Sequence, residues 1–152
     1  MPKLPISVCI ISGAEVHRIG RALASVSGWA NEVLVVLNED VHDGTEEFCL
    51  KNGAKVFREP WKGYVAQKNS VIEKASFPWI LSLDADEEVT HALRKEIQVL
   101  AALETLPLQG YRISRVTHYL GREIRGTDWY PDWQVRLFRR GRGCCRSKRR
   151  SR

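Results

Sequence analysis

The pattern of apolar and polar positions switches back and forth between two periods along the chain. Ile6-Ser7-Val8-Cys9-Ile10-Ile11 is a short apolar run rich in β-branched residues, which predicts a buried strand. Gly13 breaks it, and Ile19, Leu23 and Val26 then recur at helical spacing over Ile19–Val26. Glu32–Leu37 predicts a second strand, apolar without alternation. Asp43 and Glu46 have the spacing of a capping box that opens a helix, and Asn52-Gly53 is a stop signal for it. Ala54–Arg58 predicts a third, shorter strand.

The cycle repeats once more. After the loop Pro60–Gly63, Tyr64–Ala75 is long enough for a helix, with Val65, Lys68, Val71, Ile72 and Ala75 along one face. Trp79–Leu83 predicts a fourth strand that stops abruptly at Asp84. Thr90 then caps a helix carrying Leu93, Ile97, Leu100 and Ala101 on its apolar side. Unalternating strands that alternate with helices predict an α/β fold, a mostly parallel sheet with helices on both faces. Beyond Gly110 the texture changes to short strands at Tyr111–Arg115, Thr117–Leu120, Glu123–Arg125 and Gln134–Arg139, with a joint at Gly121.

Composition narrows the class. With 152 residues, 43% hydrophobic and 28% charged, the profile is that of one soluble globular domain. No apolar run approaches the roughly 20 residues that span a bilayer, and Met1–Pro5 carries no export pattern. The expectation is a cytoplasmic protein, neither secreted nor membrane-spanning. The net charge of +6 is misleading, because Arg136–Arg152 holds 9 basic residues and no acid. Positions 1–135 keep 15 basic against 18 acidic residues, a net of −3. The basic end suits an anionic membrane surface or a phosphate backbone. With Phe138 as its one aromatic, it does not suit specific nucleic-acid readout. Cys9 and Cys49 fall on predicted core elements, and adjacent Cys144 and Cys145 lack zinc-ligand spacing, so the four cysteines read as reduced thiols.

Three groups of residues can carry chemistry. In Asp84-Ala85-Asp86, residues two apart in an extended segment share a side, so both carboxylates can approach one ligand. They lie at the carboxyl end of a buried strand, where open α/β sheets bind ligands. A hard divalent ion holding substrate phosphates would relieve their repulsion. The plainer alternative is a solvated acidic loop, with Glu87 and Glu88 favouring a helix N-terminus. Lys68, in Gln67-Lys68-Asn69, is placed to meet a phosphate, or is an ordinary surface lysine. Trp129–Arg136 packs three aromatics, an acid and an arginine into a short stretch, which suits a sugar ring or the plug of a core. Dinucleotide and phosphate-loop glycine motifs after the first strand, and a Gly-x-Ser-x-Gly elbow, are all missing from the sequence.

Four blocks together resemble family-2 glycosyltransferases of the GT-A fold, and within them the lipopolysaccharide-core β-glucosyltransferase branch. These are Asp43-Gly44-Thr45; Trp61-Lys62-Gly63-Tyr64 with Ala66-Gln67-Lys68-Asn69; Trp79 through Glu87; and Trp129-Tyr130-Pro131-Asp132 with Gln134 through Arg140. The resemblance runs from about Ile6 to Gly143. It implies an inverting transfer of a sugar from a nucleotide-sugar donor to a hydroxyl of a glycan or lipid-linked saccharide acceptor; contact with the inner face of the cytoplasmic membrane, through basic and aromatic residues, is a separate expectation. It implies that Ser12, Glu15 and Asn38 hold the nucleoside, and that Lys68, Gln134 and Arg136 contact diphosphate or acceptor. Asp84 and Asp86 would bind Mg²⁺ or Mn²⁺, with Asp86 the more direct ligand. Asp132 would be the base, with Asp128 behind it.

Two features depart from that pattern. Asn38 stands where the family usually has an aspartate, and Ala14 where many members have asparagine, so nucleotide preference stays open. The composition shifts abruptly after Gly143. The expectation is a catalytic domain over 1–143, incomplete on its C-terminal side through truncation or a frame shift, and a basic disordered tail over 144–152. The alternative function is an inactive relic that still binds nucleotide sugar.

Overall fold

The computed structural model describes residues 4–102, 109–119, 122–124 and 132–141. In chain order the elements are β1 (Leu4–Ser12), α1 (Ile19–Val26), β2 (Ala30–Asn38), α2 (Thr45–Lys51), β3 (Lys55–Glu59) and α3 (Tyr64–Glu73). Then follow β4 (Trp79–Asp84), α4 (His91–Ala101), β5 (Gly110–Arg115), β6 (Thr117–Tyr119), β7 (Arg122–Ile124) and β8 (Asp132–Arg139). Six strands form one sheet in the order β3-β2-β1-β4-β8-β5. The first four are mutually parallel, and β8 runs antiparallel between β4 and β5. β6 and β7 pair apart as a small antiparallel ribbon.

The absence of alternation in β1, β2 and β4 has its cause in coverage of both faces. On one face α1, α2 and α4 lay Ile19, Leu23, Val26, Cys49 and Ile97 against Val8, Ile10, Val35 and Leu81. On the other, α3 lays Val71 and Ile72 against Cys9, Leu34, Val36 and Ile80. Each fully buried Val, Leu or Ile contributes about 1.5–3 kcal/mol relative to exposure, so successive residues of one strand are all rewarded for being apolar. Burial, with the nearby charge of Glu32, pushes the Cys9 thiol up to about 12, which leaves it an unreactive core side chain.

Two local expectations are corrected. The buried face of α3 is Gln67, Ser70, Val71 and Ile72, while Val65 is only half-buried. Polar residues take two of the inner positions: the Ser70 hydroxyl donates to the Glu59 carboxylate at 2.7 Å, whereas Gln67 Oε1 accepts from the Lys62 amide at 3.3 Å and its Nε2 is buried without a partner. The capping box does not form. Gly44, at φ 92°, is the N-cap of α2, Asp43 accepts from the Thr45 amide and hydroxyl, and Glu46 turns to Arg58 at 2.6 Å. Thr90 caps α4 as expected, accepting from the Leu93 amide.

Near the start of β2, Glu32 is enclosed, with 3% of its side chain exposed. It accepts from the Ser7 hydroxyl at 2.6 Å, the Ser76 amide at 3.0 Å, the Ser76 hydroxyl at 3.1 Å and Lys55 Nζ at 3.1 Å. Burial works against its charge, but these bonds outweigh burial and hold the carboxyl below its usual range.

Candidate active site

The strand order reverses between β1 and β4, which places a topological switch point at their carboxyl ends. Ile11 of β1 stands beside Asp84, the last residue of β4. Because β8 runs antiparallel, its first residues arrive at this same edge. The pleat decides which side chains meet. Ile80, Ser82 and Asp84 alternate onto the α3 face, where Phe138 of β8 joins Ile80, and a register shift of β8 against β5 then sets Gln134 opposite Ile113 and Asp132 opposite Arg115.

The result is a chain of charged side chains. Lys68 Nζ, from α3, lies 2.8 Å from Asp84 Oδ1, and Arg136 Nη2 lies 3.4 Å from Asp84 Oδ2. The same Arg136 nitrogen is 2.9 Å from Glu87 Oε1, to which Arg115 Nη1 also reaches at 3.4 Å. Arg115 Nη2 in turn sits 2.6 Å from Asp132 Oδ2, whose other oxygen accepts from Gln134 Nε2 at 2.8 Å. Burial opposes the charge of Asp84, but the hydrogen bond from Lys68 and the charge of Arg136 hold its carboxyl below the ordinary range. Asp132 is held low by its bond from Gln134, against slight burial, and then by Arg115. Three carboxylates and three cations balance, so the cluster alone offers little net charge to an anion.

Asp86 differs from its neighbours. It is exposed and enters none of these bonds, because β4 ends at Asp84 and a turn carries the chain outward, closed by the Glu87 amide donating to Asp84 O at 3.0 Å. The two aspartates therefore do not share one extended segment. The donor set still fits a hard divalent ion completed by phosphate oxygens, since a free carboxylate stands beside one already oriented by cations. Among the described residues no group of three His, Cys, Asp or Glu could hold an ion unaided.

Ser12, Glu15 and Asn38 end or follow neighbouring strands and stand apart from this network. The Ser12 hydroxyl is buried on the opposite face and donates to Gly13 O at 2.9 Å. Glu15 lies 3.3 Å from Arg18, and its amide donates to Thr45 Oγ1 at 3.2 Å. Asn38 lies over Gly13, where an added Cβ would meet its Nδ2 at 3.6 Å. Asp128, Trp129, Tyr130 and Pro131 lie outside the described residues, as does everything from Arg142 onward. Glu87 and Arg115 are functional candidates that sequence reasoning missed. The three-residue spacing from Asp84 to Glu87 was a usable sign of a turn. Nothing local marks Arg115, which reaches the site because β5 pairs with β8.

The family model for glycosyl transferase family 2 matches residues 7–144. The chain belongs to that family. The lipopolysaccharide core biosynthesis glycosyltransferase LpsC of Rhizobium meliloti is 32% identical over 149 residues, 94% of this chain and 54% of that protein. An uncharacterised glycosyltransferase of Rickettsia typhi is 42% identical over 97 residues, 64% of this chain and 33% of that one. This family-2 chain thus spans between a third and about half the length of these curated relatives. Its fold is that of GT-A glycosyltransferases. The mannosyltransferase PcManGT of Pyrobaculum calidifontis, solved with GDP-Man and Mn²⁺, superposes with a TM-score of 0.59 at 16% identity, over 76% of this chain and 37% of that one.

Proposed function

We propose that this family-2 domain is an inverting, metal-dependent transferase that moves a sugar from a nucleotide-sugar donor to a hydroxyl of a lipopolysaccharide or other cell-surface glycan acceptor. The observation that carries the reading is the Lys68–Asp84–Arg136 cluster at the switch point, with the unengaged Asp86 beside it. The relationship to LpsC supports the acceptor class.

The nucleoside lies across the ends of β1 and β2, at Ser12, Glu15 and Asn38. The diphosphate meets Lys68 and Arg136, which the acidic side chains hold pointing at it. Asp86, with Asp84 behind it, would hold Mg²⁺ or Mn²⁺, which would supply positive charge to the diphosphate. This fits a protein cluster whose own charges cancel. Asp132, with Asp128 behind it, takes the proton of the acceptor hydroxyl as that oxygen bonds to the anomeric carbon and the carbon–diphosphate bond breaks. Gln134 and Arg115 hold the Asp132 carboxyl below its ordinary range, which favours its charged form but lowers its strength as a base. Gln134 orients it. Among the described residues no helix is long and apolar enough to cross a membrane. A lipid-linked acceptor would be met by contact of basic and aromatic side chains with the inner face of the cytoplasmic membrane.

The test is calorimetric titration with nucleoside diphosphates and their sugars, with and without Mn²⁺, on the wild type and on Asp86→Ala. Metal-dependent binding that Asp86→Ala abolishes supports the assignment. A folded wild type that binds none of them overturns it.

A further inference from the structure

We propose that Glu87 is the positioning residue of the Asp84–Asp86 turn and of the two arginines beside it. The importance of that turn rests on the reading of Asp86 above; the geometry of Glu87 does not. Its carboxylate touches three separate pieces of the site. Oε2 accepts from the Asp84 backbone amide at 3.0 Å, while Oε1 accepts from Arg136 at 2.9 Å and from Arg115 at 3.4 Å. The backbone closes the same turn in the reverse sense, with the Glu87 amide donating to Asp84 O at 3.0 Å. Two bonds between its end residues pin the turn. Ala85 is thereby packed into the core at 7% exposure and Asp86 is projected outward.

The second consequence concerns charge. Glu87 is the anion shared between Arg136 and Arg115, so Arg136 is not drawn wholly onto Asp84 nor Arg115 wholly onto Asp132. Only 17% of its side chain is exposed, and it is ringed by guanidinium groups and a backbone amide. Oε1 is taken up by two guanidinium groups and Oε2 by a backbone amide, so both oxygens are already engaged within the protein. Neighbouring Glu88 is exposed and enters none of these bonds.

Glu87→Ala and Glu87→Gln test this in the full chain, beside Asp86→Ala. The amide oxygen of Gln still accepts from Asp84, whereas Ala leaves that amide without its partner. In the ligand-free protein, hydrogen exchange at the Asp84 amide should speed about tenfold in Glu87→Ala and stay near wild type in Glu87→Gln. With Mn²⁺ and UDP or GDP, affinity should fall about tenfold in Glu87→Ala and about fivefold in Glu87→Gln, which keeps the turn bond but loses the anion shared by Arg136 and Arg115. Unchanged exchange in Glu87→Ala overturns the proposal. So does a Glu87→Gln that loses binding as completely as Asp86→Ala, because that is the behaviour of a metal ligand. If exchange responds as stated but the wild type binds no metal-nucleotide, the positioning role stands and the transferase assignment fails. Far-UV circular dichroism confirms that each variant is folded.

Discussion

Glu32, near the start of β2, and Asp84, at the end of β4, are two carboxylates at opposite strand ends of the same sheet, both held below their ordinary range, with different surroundings. Around Glu32 the bonds are short, several come from hydroxyl and backbone groups, and the side chain is 3% exposed. Around Asp84 the partners are two long cationic side chains, Lys68 and an Arg136 shared with Glu87, the contact to Arg136 is 3.4 Å, and 29% of the side chain is exposed. Closed saturation suits a structural staple, since every donor it holds would be orphaned by its loss. A shared, half-open cluster suits binding, since its cations can turn to a ligand without leaving a buried charge unpaired.

Removing each carboxylate's support would break or sharpen that contrast. Glu32→Ala leaves the Ser7 hydroxyl and the Ser76 amide without partners and should cost roughly 3 kcal/mol in urea unfolding. Its nucleotide affinity should stay at wild type; a loss below about 1 kcal/mol would remove the staple reading. Lys68→Met should do the opposite. We expect about a tenfold drop in Mn²⁺-diphosphate affinity from loss of a charge-assisted contact, with stability within about 1 kcal/mol of wild type, as for partly exposed pairs. Equal damage to stability in both variants would erase the distinction between the two strand ends.

A smaller effect appears in acid. The folded-state pKa of Glu32 lies below its unfolded value near 4.5, so its contribution is full above that pH and lost as pH falls through the folded value. Glu32→Gln should therefore flatten the acid limb of a stability–pH curve below about pH 5, read from urea midpoints. An unchanged slope would mean that other carboxylates carry that limb. Smallest of all, Lys55→Met should change stability by no more than about 0.5 kcal/mol, because the Lys55 side chain is 65% exposed. A larger loss would show that charge, rather than the hydroxyl and amide donors, holds the Glu32 cluster together.

Most elements were legible because local signals agreed with the final packing. The apolar runs of β1, β2 and β4 announced strands covered on both faces, and Ile19–Val26 matched α1 residue for residue. The misreadings share a cause. Ser70 is buried on α3 because Glu59 supplies its partner, and Gln67 is buried with only its Oε1 bonded, to the Lys62 amide, neither of which periodicity reveals. Asp43 and Glu46 kept capping-box spacing but were diverted, one to Thr45 and one to Arg58 of the next strand. At the site, Lys68, Asp84, Gln134, Arg136 and Asp132 were named from motif position, and the structure brings them into one network. Asp86 was expected to share a side with Asp84, and a turn separates them instead.

The sequence by itself determined the alternation of strands and helices, the strand after which the acidic motif falls, and the set of charged residues available to a site. These follow from burial and from spacing along one segment. The insertion of β8 antiparallel between β4 and β5, and with it the partners of every charge, was decided by tertiary structure alone. Arg115 and Glu87 lie 28 residues apart and meet through a strand far from both in the chain. Charged side chains are long, their pairing depends on which strand ends are adjacent, and that adjacency is a property of the sheet rather than of any stretch of sequence.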